Sequence, residues 1–389
     1  MNILYFSFVE LDIPNACQTH TLGVLKGFSE NGCSVDAVVP RPIKLKPNIS
    51  GVRFFYIWPW QFSPLGIVWV KILGAFYFFT LCLWNHYDAI YVRELELNPF
   101  PRWCSKIFNI PYYIEVNAER LCSGGVSDQN SRKTIKIVKN RESDFLQASA
   151  LIVSSFPMNK WIAEHYSINK NIIYTILNGA FPPEREKIDR GEALSSIGLP
   201  LDGFYLGYVG NIWDNYDLRS ILKAIKVCIE NIPSLYLLII GGGPNYESFK
   251  QKANEMGISE HLKYLGYIQP MELFQVMGAI DLGLINLTKR ALADVGPITT
   301  RFATCAVFGV PVIVNDYMMD DYSDDLLEGL SIIPPEDPQA LANMINWHYL
   351  NPGESKEKGR IARDFVLNKM TWYYVTRDIL QIMKKQNAI

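Results

Sequence analysis

Paired cysteines are missing from this chain. Its seven cysteines (Cys17, Cys33, Cys82, Cys104, Cys122, Cys228 and Cys305) stand singly, with no CxxC. That excludes zinc ribbons and dithiol redox motifs. The count is odd and no signal-peptide pattern opens the sequence, so reduced thiols in a cytosolic protein are expected, mostly packing as small apolar groups. The five histidines (His20, His86, His165, His261 and His348) show no metal-ligand spacing, and no metal is expected. Neither sign of charge dominates: 37 Lys and Arg face 39 Asp and Glu, for a net charge of -2. A nucleic-acid partner relying on a strong positive field is thereby disfavoured. Internal repeats and low-complexity segments are absent, which excludes solenoids and disordered tails.

What the chain has is alternation. It is 389 residues long, enough for two domains, with 49% hydrophobic and 20% charged residues. Short apolar runs read as buried parallel strands: the opening Met1–Phe8, then Ser34–Val39, Val52–Ile57, Ala89–Arg93, Tyr112–Val116, Ala150–Ser154 and Ile172–Leu177. Helical patterns separate several of them, at Thr19–Asn31 and Pro157–His165. A polar stretch, Pro182–Pro200, reads as an interdomain connection. The alternation then restarts at Tyr205–Val209 and runs through strands at Leu235–Ile240, Leu262–Leu265, Leu282–Ile285 and Val310–Val314. The expected fold is α/β, with two tandem Rossmann-like doubly wound domains facing a central cleft. The boundaries are placed at 1–182 and 183–370, with 371–389 as a terminal helix packing back on the first domain.

Aromatic residues crowd the stretch from Phe54 to Tyr91, and Leu65 to Trp84 is nearly apolar over the length of a membrane span. Lys71, Gly66 and Gly74 interrupt it, and a strand follows directly. The preferred reading is a buried helix on the sheet; a surface dipping into a membrane is the second, ahead of a spanning helix.

Ligands on such sheets sit outside the carboxyl ends of the strands. Gly210 follows a strand there, suited to close approach of a phosphate or to an ordinary tight turn. Gly241, Gly242 and Gly243 carry the same two readings. They lack the full GxGxxG spacing and its ribose-binding acid, so a nicotinamide cofactor is not supported. Tyr264 and Tyr267 end another strand, where a base can stack. Thr299, Thr300 and Arg301 open a helix, and its amides, two hydroxyls and a guanidinium suit an anion. Asp294, read as lying on the preceding loop, can bond sugar hydroxyls or be simply solvated. In the first half, Gln18, Thr19 and His20 join strand one to helix one, as ligand contacts or as a helix cap. Asn117, just past Glu115, suits a sugar hydroxyl. Arg93 and Glu94 end a neighbouring strand, where an ion pair can be purely structural.

Taken in order, several short segments resemble the retaining GT-B glycosyltransferases, specifically the family-4-like, group 1 branch. They are Tyr91-Val-Arg93, Ile114-Glu-Val-Asn117, Ala150-Leu-Ile-Val-Ser-Ser155, Leu177-Asn-Gly-Ala180, Tyr208-Val-Gly-Asn211, Ile239-Ile-Gly-Gly-Gly-Pro244, Tyr264-Leu-Gly-Tyr267, Ala279-Ile-Asp-Leu-Gly283 and Phe308-Gly-Val-Pro-Val-Ile313. Each is unspecific alone; their order spans nearly the whole chain. The resemblance implies a nucleoside diphosphate sugar donor (UDP or GDP) held by the second half and a glycan or glycolipid acceptor held by the first. It further implies transfer with retention and no metal or other cofactor. By analogy it implies surface polysaccharide assembly at the inner face of the cytoplasmic membrane, with peripheral membrane contact.

The sequence departs from that family at the donor. Asn211 and Tyr216 stand where an Arg and a Lys usually touch the diphosphate, Gly296 and Thr304 where two glutamates stand, and Asn117 where many members have His. Arg301 matches a basic position of part of the branch. The resemblance then gives Arg301, Thr299 and Thr300 to the diphosphate, with Gly210 and Asn211 flanking it. Tyr264 and Tyr267 frame the base, and Asp294, Asn117 and His20 contact sugar or acceptor. The departures leave two further readings open, a non-catalytic binding or scaffold protein on the same fold and a nucleotide-sugar epimerase.

Overall fold

The computed structural model describes residues 1–12, 16–43, 46–57, 66–93, 99–117, 132–213, 216–268 and 272–387, with the backbone alone for 66–71, 132–137 and 387. The candidate residue Glu94, the Pro14-Asn15 turn, Trp58 and Trp60 lie outside them. The chain forms two compact units, Met1–Gly179 with Trp372–Ile389, and Ala180–Thr371.

The first unit holds a seven-stranded sheet: β1 (Asn2–Phe6), β2 (Ser34–Pro40), β3 (Val52–Ile57), β4 (Ala89–Arg93), β5 (Tyr112–Val116), β6 (Ala150–Val153) and β7 (Ile173–Thr175). The order is β3-β2-β1-β4-β5-β6-β7 and every pairing is parallel. This is the doubly wound order with its switch point between β1 and β4. Alternate strand residues serve two faces. Leu4, Phe6, Val38, Ile90, Val92, Ile114 and Val153 pack on α2 (Gly66–Trp84), α3 (Phe100–Phe108), α4 (Arg132–Gln147) and α5 (Phe156–His165), through Phe78, Cys104, Phe145 and Met158 among others. On the opposite face lie Tyr5 and Tyr91, stacked at 6.0 Å, with Phe28 of α1 (Ala16–Glu30) edge-on to Tyr91. Among the described residues no helix is long and apolar enough to cross a membrane.

The second unit begins with a correction. The Pro182–Pro200 stretch carries α6 (Arg190–Ser196), capped by the Asp189 carboxylate on the Gly191 amide at 2.8 Å. Arg190 donates to Asp281 and to the Leu201 and Gly203 carbonyls. These bonds fix as structure a segment whose charge and prolines suggested a connection.

Six strands follow: β8 (Phe204–Val209), β9 (Leu235–Ile240), β10 (Leu262–Gly266), β11 (Leu282–Ile285), β12 (Val312–Asn315) and β13 (Leu330–Ile333). They are ordered β10-β9-β8-β11-β12-β13, again all parallel, with the switch point between β8 and β11. The helices of this unit are α7 (Leu218–Cys228), α8 (Tyr246–Glu255), α9 (Phe274–Met277), α10 (Lys289–Val295), α11 (Thr300–Ala306), α12 (Asp324–Glu328), α13 (Pro338–Leu350) and α14 (Pro352–Lys369).

The last helix, α15 (Trp372–Asn387), lies against α1 in the first unit. Trp372 is fully buried there. Gly23 and Gly27 of α1 leave room for it: a β-carbon at Gly23 would overlap the indole, and one at Gly27 the Trp372 carbonyl. Large aromatic burial of this kind dominates local stability. Trp372→Ala is expected to lower unfolding free energy by about 3–5 kcal/mol and Gly23→Val by about 1–3 kcal/mol. Denaturant unfolding checks both, with amide exchange in α15 accelerating in each variant.

Candidate functional site

In the second unit, three strand ends are laced together by glycines. The Gly210 amide donates to the Ile240 carbonyl at 2.7 Å, Ile212 to Gly242 at 2.8 Å and Gly241 to Gly266 at 2.7 Å. Gly210 (φ 126°), Gly241 (φ 130°) and Gly243 (φ 155°) occupy backbone conformations closed to other residues. A β-carbon at Gly241 would overlap the Gly210 carbonyl, and one at Gly243 the Ile212 carbonyl. Glycine is required here by close backbone packing between neighbouring turns.

Arg301 lies against this lacing. It is 6% exposed, and a β-carbon at Gly210 would sit 2.8 Å from its Nε. Its guanidinium carbon stands 3.5 Å from the Tyr216 ring centroid and 4.3 Å from that of Tyr208. Nη2 donates to the Asn211 carbonyl, which also accepts from the Tyr208 hydroxyl at 2.9 Å. Burial pushes the Tyr208 phenol up to about 12, against the pull of Arg301, so the hydroxyl stays a donor. Nη1 is buried with no hydrogen-bond partner among the described residues.

Nη1 has company. Asp217 Oδ2, Asn286 Oδ1, Thr299 Oγ1 and Asn315 Nδ2 are also buried without partners. Asn286 follows β11 and Asn315 ends β12, where its Oδ1 accepts from the Leu287 amide at 2.7 Å. Asp217 caps α7 and its amide bonds the Asn286 carbonyl, while Tyr216 bridges Leu287. Buried polar atoms usually find partners in protein, water or ligand, so five orphans around one set of strand ends make this the candidate site for a polar ligand.

The other predicted residues fall as follows. Thr299 precedes α11 without capping it, and Thr300 opens that helix. Tyr264 stacks on Tyr246 at 4.2 Å, about half exposed. Its hydroxyl would lie 3.1 Å from a β-carbon on Gly242. Tyr267 is about equally exposed, just past β10. Asp294 needs correction: it is buried on α10, not on a loop. The Thr288 side chain caps that helix on the Ala291 amide at 3.2 Å, a start signal visible in the sequence.

In the first unit, His20 turns inward. Its Nε2 lies against Glu115 Oε1 and its ring meets Trp372 edge-on at 4.6 Å. Glu115 also accepts from the Tyr91 hydroxyl at 2.8 Å and from the Asn117 amide. Burial drives the Glu115 carboxyl upward, but His20, Arg93 and the Asn117 hydrogen bond outweigh it and hold it at about 2. Burial lowers His20, with the Glu115 carboxylate opposing that shift. The void beside these groups measures about 10 Å³, the room of one water rather than a sugar. Arg93 donates to the Cys17 carbonyl and Thr21 hydroxyl, a structural role. Gln18 likewise holds the Leu11 carbonyl at 2.6 Å. Asn117, half-buried just past the strand end, can meet solvent as well, as can the half-buried Gln18 and Thr19.

Residues 189–365, just under half of the chain, match the family model described as Glycosyl transferases group 1. The match spans most of the second unit. The chain is 25% identical over 211 residues to a D-inositol 3-phosphate glycosyltransferase of Corynebacterium urealyticum, covering 51% of this chain and 48% of that one. It is 22% identical over 155 residues to a GDP-mannose-dependent alpha-(1-6)-phosphatidylinositol monomannoside mannosyltransferase of Mycolicibacterium smegmatis, covering 39% and 40%. The aligned region is thus about half, or less, of the length of the curated relatives it matches. The fold of the whole chain is that of GT-B glycosyltransferases. Sucrose-phosphate synthase of Thermosynechococcus elongatus superposes with a TM-score of 0.77 at 14% identity, over 100% of this chain and 99% of that one. Anabaena HepE in complex with UDP and glucose gives 0.72 at 14%, over 99% and 100%. The orphan atoms of the second unit therefore gather at the strand ends of a GT-B fold.

The Arg301 aromatic bracket and the asparagines at 286 and 315 were not read from the sequence. Each asparagine stands at the end of an apolar strand run, which was the available signal.

The Glu115 cluster carries a pH prediction. A carboxyl held at about 2 when folded, against 4.5 otherwise, contributes stability above pH 4.5 that is lost as pH falls from there toward 2. Glu115→Gln is expected to be less stable than the native protein at pH 7. The gap in urea midpoints should narrow between pH 5 and pH 2; a constant gap would refute an ionised, paired Glu115.

Proposed function

We propose that the chain is a retaining, metal-independent glycosyltransferase that takes its sugar from a nucleoside diphosphate sugar, UDP- or GDP-linked. The acceptor is a glycan or glycolipid, in surface polysaccharide assembly at the cytoplasmic face of the membrane. The observation that carries this reading is the buried, unpartnered Nη1 of Arg301 beside Gly210. When the bond between the anomeric carbon and the phosphate oxygen breaks, negative charge builds on the departing diphosphate. A fixed guanidinium with nearby backbone amides stabilises that charge without reorganising. Gly210 and Asn211 flank the diphosphate, with Thr299 and Thr300 beside it. Gly241, Gly242 and Gly243 let the backbone approach, and the paired Tyr246 and Tyr264, with Tyr267, frame the base. Asp294 and Asn117 are assigned to sugar and acceptor. His20 acts through Glu115, which orients the Asn117 amide. The bound UDP of HepE and the GDP-mannose dependence of the mycobacterial relative support the donor class.

A second reading is a binding protein that has kept the fold. Asn211 and Tyr216, with Gly296 and Thr304, favour it, because they remove two cations and two carboxylates that the family resemblance expects. An epimerase has less support: Glu115, the carboxylate paired with a histidine here, is buried against a void too small for a sugar.

Calorimetry with UDP, GDP and their sugars, without added metal, separates the two main readings. The native chain is expected to bind one nucleotide, and Arg301→Gln to weaken it at least about tenfold. The same variant should lower kcat/KM by about 10²–10³. Unchanged binding in Arg301→Gln would remove Arg301 from the site. No nucleotide binding by folded protein would leave the binding-protein reading standing.

A further inference from the structure

β13 ends the second sheet and has β12 as its one neighbour in the strand order. In a parallel ladder each residue sends its amide and carbonyl to the same side, and the next residue sends them to the other. The Ile333 carbonyl accepts from the Asp316 amide at 2.7 Å, so Ile333 faces β12 while Leu330 and Ile332 face the open edge. Beside that edge lies a groove of about 560 Å³, the size of a small-molecule site. Ala340, Asn343, Met344 and Trp347, spaced at three and four residues along α13, make one wall of it. Ile332 and Pro334 of the strand and Lys358 of α14 also line it.

The polar groups here are chiefly donors. Lys358 Nζ donates to the Leu330 carbonyl at 2.7 Å and to the Glu328 carbonyl at 3.1 Å, which uses two of its three N–H groups. In an extended strand the carbonyl of one residue and the amide two residues on are neighbours on the same edge. The third N–H of Lys358 and the Ile332 amide therefore lie close together. Asn343 Oδ1 accepts from Gln339 at 3.0 Å, so its NH2 group is what it offers a ligand. The Ser331 hydroxyl is paired with His348 Nε2 at 2.8 Å. Lys358 is the one charged side chain among the described residues lining the groove, and the Glu328 carboxylate lines a separate one between α12 and α14. Burial lowers the Lys358 amine, with Glu328 opposing, and an anion beside it would favour the charged form further. A second strand fits this edge poorly: β13 has four residues, and Lys358 already occupies the Leu330 carbonyl that a new ladder would need.

We propose that the β13 groove binds a small carboxylic acid with an extended apolar body. The carboxylate takes the third N–H of Lys358 and the Ile332 amide, and the apolar body lies against Met344 and Trp347. This goes beyond the transfer reaction, since β11 and β12 stand between β13 and the Gly210 turn that follows β8.

The test titrates the full chain by calorimetry with decanoate, with 1-decanol as its uncharged match and butanoate as its short one. Decanoate is expected to bind, 1-decanol at least about tenfold more weakly and butanoate at least about tenfold more weakly. Hydrogen exchange at the Ile332 amide should slow when decanoate is bound. Lys358→Met should weaken decanoate at least about tenfold and leave 1-decanol unchanged. Asn343→Asp, at an exposed position, sets a carboxylate against the ligand and should weaken decanoate several-fold; circular dichroism checks the fold of both variants. No decanoate binding by the native chain, equal binding of acid and alcohol, or native-like decanoate binding by folded Lys358→Met would overturn the proposal. So would a native dimer in light scattering that protects the Ile332 amide while decanoate goes unbound, because the edge would then belong to a second copy. Nucleotide calorimetry on both variants should match the native chain, so failure of this site and failure of the donor assignment are read separately.

Discussion

Two parallel sheets, each covered on both faces, decide where anything polar can go in this protein. A parallel strand needs a crossover, and the crossover helices seal the sheet from water. Inside, backbone groups are spent on the ladder and side chains have to be apolar, as the runs Ala150–Val153 and Leu282–Ile285 are. Polar chemistry is pushed to the carboxyl ends of the strands, where the ladder stops. Gly210, Asn286 and Asn315 stand directly at such ends in the second unit, and Glu115 and Asn117 in the first.

The two sets of strand ends resolve their polarity differently. In the first unit Glu115 collects His20, Tyr91 and Asn117, and the cluster is nearly closed. A buried carboxylate with several donors is satisfied, and adding a ligand gains it little. In the second unit Arg301 is bracketed by two tyrosine rings and one carbonyl, yet Nη1 is left over. Guanidinium tolerates such a bracket because it is weakly hydrated and stacks on aromatic faces, where a lysine ammonium would lose more.

Much of this architecture was legible in the sequence because buried strands announce themselves. Val52–Ile57, Ala89–Arg93, Tyr112–Val116, Leu235–Ile240 and Leu282–Ile285 have the bounds their apolar runs suggest. Short helices were harder. α6 and α10 are seven residues each, too brief for a helical period to stand out, and only the caps Asp189 and Thr288 signalled them. Missing α10 put Asp294 on a loop. The inward turn of His20 was also invisible, because it depends on Trp372, far along the chain, arriving beside Gly23.

The departures from the family pattern fit together better than their separate losses suggest. Tyr216 stands where a lysine is expected, and its ring is the nearer of the two that hold the Arg301 guanidinium. Asn211 stands where an arginine is expected; the carbonyl that accepts from Nη2 is its backbone one, which any residue there would supply. A lysine at 216 would set a second cation against Arg301 in the same buried space, with a repulsion that low polarity magnifies. The exchange at 216 thus replaces an expected cation with part of the mounting for a single one. A single guanidinium opposes less of a diphosphate's charge than two or three cations do, so ground-state attraction should be weaker. Rigidity works the other way: a guanidinium already in place has nothing to reorganise as charge grows on the leaving group. Under the proposed donor role, such a site trades donor affinity for preorganisation.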